Sequence, residues 1–225
     1  DPKNKRLRCA LHLEHEDYSL LVDTGPDLRT QALRYQIDHV DCVLFTHGHA
    51  DHLHGLDDVR CYCFDRDGPL PCYANQRTIE RIEHVFDYAF DKNAPSTTPQ
   101  IALHPIEGPF SVCGLEIEPL TVYHGPAPVL AFRIGDFAYV TDTNRIPDEA
   151  MERLHDLDVL VLGALRHKAH PTHFNIEQAL AIVEKLQPAQ TYLTHMAHDL
   201  DHHQTNTELP QGVELAYDGL VLEVE

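Results

Sequence analysis

Along the chain, the spacing of apolar side chains switches repeatedly between two periods. Short runs rich in Val, Leu, Ile, Phe and Tyr, bounded by Gly, Pro or Asp, predict strands at Leu7–Leu13, Tyr18–Val22, Cys42–Thr46, Leu115–Val122, Val129–Ile134 and Phe137–Thr141. Further runs predict strands at Asp158–Leu162, Thr191–Thr194, Val213–Tyr217 and Leu220–Val224. Between them, three segments return apolar residues every three or four positions. Gln76–Phe90 sets Ile79, Ile82, Val85, Phe86 and Ala89 on one helical face. Asn175–Leu186 opens with Asn175 and Gln178 at capping-box spacing and turns Ile176, Ala179, Leu180, Val183 and Leu186 inward. Pro147–His155 puts proline at a first helical position. The Pro-, Ser- and Thr-containing stretch Asp91–Gln100 reads as a loop. With no internal repeat or low-complexity linker, the alternation predicts one α/β domain over residues 1–225, with helices outside β layers.

Composition narrows the class. A hydrophobic fraction of 43% supports a core, and no apolar run reaches the roughly 18 residues that span a membrane. The 36 acids outnumber the 17 bases, for a formal charge of −19. Such a surface repels polyanions and makes nucleic acid a poor partner. Six cysteines, several inside apolar runs, suit a reducing cytoplasm. Cys61-Tyr62-Cys63 reads as thiols in a packed segment, because a lone pair lacks the further ligands of a metal site. The polar start Asp1–Arg6, without an initiator methionine, is no signal peptide and predicts a preceding segment.

Histidine carries the chemistry, with 18 residues arranged in clumps. The predicted strand Cys42–Thr46 runs directly into His47-Gly48-His49-Ala50-Asp51-His52, three imidazoles and a carboxylate within six residues. In a turn leaving a strand, His47 and His49 can point to one side and Asp51 and His52 to the other, which suits two adjacent metal ions.

This stretch matches the H-x-H-x-D-H signature, and the chain resembles the metallo-β-lactamase superfamily. Leu21-Val22-Asp23-Thr24-Gly25 looks like that family's early strand and Asp-Thr-Gly turn, and His124, Asp142 and His195 follow in family order at the ends of predicted strands. The resemblance implies an αββα sandwich of two mixed sheets with helices on the outer faces. It also implies two divalent metal ions, zinc or manganese, with iron or nickel as alternatives. His47, His49, His124 and Asp142 would hold one ion; Asp51, His52, His195 and the shared Asp142 the other. Asp23 would support the ligand loop from behind. Two divalent cations, less two carboxylates and one bridging hydroxide, leave a positive centre that attracts phosphate and activates water.

Within the superfamily, His52–Arg60 resembles the branch of PhnP-like cyclic-phosphate phosphodiesterases and tRNA 3′-processing endonucleases, and His195–Asp199 with Val213–Gly219 resembles the PhnP-like group. Asp rather than Cys at position 142 argues against antibiotic hydrolysis. The implied activity is hydrolysis of a small cyclic or diester ribosyl phosphate by a cytoplasmic enzyme, with Asp51 and His173 as catalytic residues. His173 would sit near its ordinary pKa of about 6.5 and protonate the leaving group. His167 and His170 read as polar loop residues, and His54 as a structural or supporting group. In PhnP-like members a cysteine cluster binds a structural zinc with the histidine matching His198, so the resemblance implies that site if a preceding segment carries the cluster, along with a Gly-rich loop. A homodimer is compatible with this reading. The rival readings are a tRNA 3′-processing-like endonuclease, a thioester hydrolase and a non-catalytic metal-binding module.

Overall fold

The computed structural model describes residues 1–64, 66–91 and 97–224. The chain folds as two compact units, one of Leu7–Leu115 and one of Glu116–Glu225 together with Asp1–Arg6. Each is built on a mixed sheet.

In the first unit the sheet order is β1-β2-β3-β4-β5, formed by Leu11–His15, Tyr18–Val22, Cys42–Leu44, Leu70–Ala74 and Ile101–Pro105. β1 and β2 form an antiparallel hairpin with Leu13 opposite Leu20, and β2 to β5 are mutually parallel. Helix α1 (Leu28–Tyr35), the single turn α2 (Ala50–Leu53) and α3 (Gln76–Val85) accompany it. The core gathers Leu21, Val43, Phe45, Leu53, Leu56 and Ile82. β6 (Phe110–Val112) leads into β7 through Cys113 and Gly114, both at positive φ.

In the second unit the sheet runs β12-β11-β10-β9-β8-β7, from Val213–Leu215, Gln190–Thr194, Val159–Gly163, Phe137–Val140, Ala127–Ile134 and Leu115–His124. β9 to β12 are parallel, while β7, β8 and β9 are antiparallel neighbours. Helices α4 (Asp148–Glu152), α5 (Ile176–Leu186) and α6 (His202–Glu208) accompany this sheet. α5 carries the full Asn175/Gln178 capping box, and Ile176, Ala179 and Leu186 join Leu160, Leu162 and Leu193 in the core.

Several expectations need correction. The first strand begins at Leu11 rather than Leu7. There the Arg8 amide donates to Asp27 Oδ2 and its carbonyl accepts from Gln31, so this backbone is satisfied without a ladder. Residues Leu220–Val224 form no strand, and Val221 is 84% exposed, so that alternation has no face to bury. The Pro147–His155 helix shrinks to Asp148–Glu152, with Pro147 as N-cap, and the Arg133 guanidinium takes the carbonyls of Arg153 and His155 beyond it. α3 stops at Val85, followed by a 3-10 turn at Asp87–Ala89. Of the loop read at Asp91–Gln100, residues 92–96 lie outside the described residues.

Candidate functional site

In the first unit, chemistry collects where β2 and β3 end side by side. Asp23 follows β2 directly, is fully buried and sits at φ 67°, in the left-handed region that Asp tolerates better than most residues. Its Oδ1 accepts from the Thr46 amide at 2.8 Å. Its Oδ2 accepts from the Thr46 hydroxyl and from His52 Nδ1, both at 2.7 Å. Because the Thr46 hydroxyl donates to Asp23, it accepts from His47 Nδ1, 3.0 Å away. One carboxylate thus fixes two imidazoles as Nδ1–H tautomers and leaves each Nε2 as an acceptor.

The His47 ring lies 4.5 Å from that of His49 and 4.4 Å from that of His52, and Asp51 Oδ2 is 3.6 Å from His52 Nε2. Two glycines make the close packing possible. A Cβ on Gly25 would lie 2.4 Å from the Asp51 carbonyl oxygen, and one on Gly55 2.0 Å from that of Gly25. The expected residues His47, His49, Asp51 and His52 therefore come together with Asp23 behind them.

In the second unit, Val140, Leu162 and Leu193 are in register on β9, β10 and β11. Asp142 and His195 each stand two residues beyond, at the same level. Both adopt positive φ, 48° and 55°, so the chain turns sharply as it leaves each strand. Their side chains meet, with His195 Nε2 2.7 Å from Asp142 Oδ1. The three left-handed residues Asp23, Asp142 and His195 all lie at the carboxyl ends of parallel strands, where α/β sheets collect functional groups.

His124 ends β7 and gives Nδ1–H to the Thr172 carbonyl at 2.8 Å, so it too carries its lone pair on Nε2. Ligand atoms of His124, Asp142 and His173 lie within 4.8 Å of one another. Asn144 ties these loops together: its Oδ1 accepts from the Gly125 amide at 2.7 Å, and its Nδ2 donates to the Pro171 carbonyl at 3.0 Å.

His173 stacks on His195 at 5.1 Å between centroids and meets His124 edge-on at 4.5 Å. Burial first, then the neighbouring imidazoles, hold its pKa near 4, against the pull of Asp142. This corrects the expectation of an ordinary histidine pKa, because a half-buried ring among other imidazoles disfavours its cation. His170 lies 5.0 Å from His173 and so belongs to the same cluster. His54 and His198 are exposed. His198 lies in a turn braced on either side by Arg6, which donates to the carbonyls of Ala197 and Leu200.

Thr46 and Asn144 escaped the sequence reading. Thr46 ends the predicted strand just before the motif, whereas Asn144 acts on backbone groups that no side-chain pattern reveals.

Neutral imidazoles with oriented Nε2 atoms beside carboxylates are the donor set that borderline divalent cations take, and the buried Asp23–His52 pair is the support such ligands need. The residues fit a metal.

Comparison with known proteins agrees. The profile of the Beta-lactamase superfamily domain matches residues 18–196. A solved structure described as a new diphosphatase from the PhnP family is 43% identical, with a TM-score of 0.94, covering 100% of this chain and 87% of that one. The octanoyltransferase of Porphyromonas gingivalis is 38% identical over 225 residues, which is 98% of this chain but 45% of that protein, so the chain spans less than half its length. Exodeoxyribonuclease YycJ of Bacillus anthracis is 26% identical over 218 residues, covering 84% of this chain and 78% of that protein. The chain has the α/β metallo-β-lactamase fold with two mixed sheets, and it belongs to the metallo-β-lactamase superfamily of hydrolases and, within it, to the PhnP family.

Proposed function

We propose that His47, His49, Asp51, His52, His124, Asp142 and His195 ligate two divalent cations, and that the chain is a phosphodiesterase hydrolysing a small cyclic or diester ribosyl phosphate. The observation that carries this reading is the fixing of His47, His52 and His124 as Nδ1–H tautomers by Asp23 with Thr46 and by the Thr172 carbonyl. Core histidines satisfied for packing alone have no need to be fixed three times in the same tautomer.

When bound, the cations supply an acidified water and charge stabilisation for the phosphoryl oxygens. The chain's own groups do the rest. Asp23 and Thr46 hold His52 and His47 in the ligating tautomer. Asn144 fixes the backbones that carry His124 and His173. His173, uncharged at neutral pH, hydrogen-bonds the departing oxygen through its N–H and strengthens that bond as negative charge develops there.

A second reading has an observation of its own, since the solved PhnP-family relative is described as a diphosphatase. Cleavage would then fall on a P–O–P linkage. The octanoyltransferase name belongs to a protein more than twice as long as the matched part, and acyl transfer is tested as an outcome. Protein loaded with Mn²⁺ or Zn²⁺ is assayed on bis(p-nitrophenyl) phosphate, a cyclic ribosyl phosphate, a diphosphate diester and an acyl thioester. Turnover of the esters supports the first reading, and preference for the diphosphate supports the second. Thioester cleavage alone, or no turnover with either metal, overturns both.

A further inference from the structure

An open pocket of about 330 Å³ borders the ligand loop of the first unit, lined by Arg8, Pro26, Ala50, Asp51 and His54. Its volume is at the small end of ligand sites. One wall is Asp51, proposed above as a ligand; another is Arg8, whose side chain is 60% exposed and whose Nη1 stands 3.9 Å from Asp51 Oδ2. Charge-assisted hydrogen bonds are about 2.7–2.9 Å long, so at 3.9 Å this ion pair is a loose one.

The backbone beneath it is held from both sides. The Arg8 amide donates to Asp27 Oδ2 at 2.8 Å, and the Arg8 carbonyl accepts from Gln31 Nε2 at 2.7 Å. A fixed base thus carries a planar, loosely paired cation at the pocket, in a chain whose formal charge is −19. Arginine matches phosphate oxygens two at a time, and Pro26 and Ala50 add uncharged walls beside it.

We infer that Arg8 and this pocket form a subsite for a second phosphoryl group of the substrate, next to the phosphorus that is attacked. The inference rests on the metal-ligand and phosphohydrolase reading above and narrows it to substrates bearing a diphosphate or two adjacent phosphates. His54, on the rim, adds a hydrogen-bonding group, and the apolar residues receive the substituent that follows.

The test is calorimetric titration of the metal-loaded protein with methylenediphosphonate, a diphosphate that hydrolysis does not consume, and with methylphosphonate. Arg8→Ala is expected to weaken the diphosphonate roughly 10- to 100-fold and the monophosphonate by less than about threefold, the loss of a charged hydrogen-bonded contact at one phosphoryl group only. Arg8→Lys, which keeps charge but not the fork, falls between. Equal effects on both ligands, or no effect on either, overturn the subsite. Because binding is read without turnover, such a result leaves the proposed hydrolysis standing. Absence of turnover of the diesters and the diphosphate with either metal removes the hydrolysis while the titration still reports on Arg8. Melting temperatures of both variants should match the wild type, since the contacts that pin position 8 are main-chain.

Discussion

Replacing Asp23 with alanine removes a buried side chain on which the proposed ligand loop leans. Its carboxylate is fully buried and accepts three hydrogen bonds, from the Thr46 amide, the Thr46 hydroxyl and His52 Nδ1. Each buried donor left unpaired costs about 1–3 kcal/mol. The three share one site and do not add in full, so the expected loss is about 3–5 kcal/mol, the range seen when one member of a buried polar pair is deleted. Alanine at φ 67° adds about 1 kcal/mol of backbone strain. For a chain of this size each kcal/mol moves the midpoint by roughly 2–4 °C, so a loss of about 4–6 kcal/mol should lower melting in EDTA by roughly 8–24 °C.

Metal affinity should drop about 10- to 100-fold, as when an outer-shell carboxylate is lost. Asp23→Asn separates the two effects. Asparagine tolerates the left-handed backbone, but its amide N–H₂ can face His52 Nδ1 and favours the tautomer whose Nε2 carries a proton, so metal binding suffers more than stability. Zinc affinity by competition with a chromophoric chelator and scanning calorimetry read both quantities. Wild-type affinity in Asp23→Ala with a melting shift under about 2 °C would refute the role given to Asp23.

Other outcomes follow from the same geometry. His173→Ala should retain its metal by elemental analysis yet lower kcat on a diester about 100-fold; an unchanged kcat removes His173 from the reaction. Asn144→Ala unties Gly125 and Pro171 and should weaken metal binding with little change in far-UV circular dichroism, whereas unaltered affinity denies it a positioning role. Gly55→Ala drives a Cβ to 2.0 Å from the Gly25 carbonyl oxygen and should cost at least about 2 kcal/mol in urea unfolding. Burial, then Lys3 and Arg6, lowers the His202 pKa, and its Nε2 accepts from Asn206 at 3.2 Å. The unfolded chain therefore takes up this proton first, and stability falls as pH drops below about 6.5. His202→Gln should flatten that part of the melting profile between pH 7.5 and 5 in EDTA, and an unchanged slope would contradict it.

Much of this could be read before any coordinates, and the failures have physical causes. The buried strands Tyr18–Val22 and Val159–Gly163 announce themselves as apolar runs, and α5 through its capping box. β4 was hidden by Pro71, which weakens a strand signal although here it pairs opposite Ala102. α1 was hidden because only Leu28 is buried on it. α6 has no apolar stripe and starts on the Asp201 cap.

The candidate site was legible to the extent that the proposed ligands are side chains clustered at strand ends. What fixes them was less so: Thr46 relays Asp23 to His47, the Thr172 carbonyl orients His124, and Asn144 bridges two loops from a sequence position that looks like an ordinary turn. The burial that lowers the His173 pKa is likewise a property of packing, absent from any motif.

The ligand set can be put to one direct measurement: metal stoichiometry by elemental analysis of the wild type and Asp142→Ala after dialysis against buffered Zn²⁺. Shared ligation predicts two ions per wild-type chain and weakened binding of both in the variant. A wild-type chain that retains no ion, or a variant that keeps one at undiminished affinity, would contradict it.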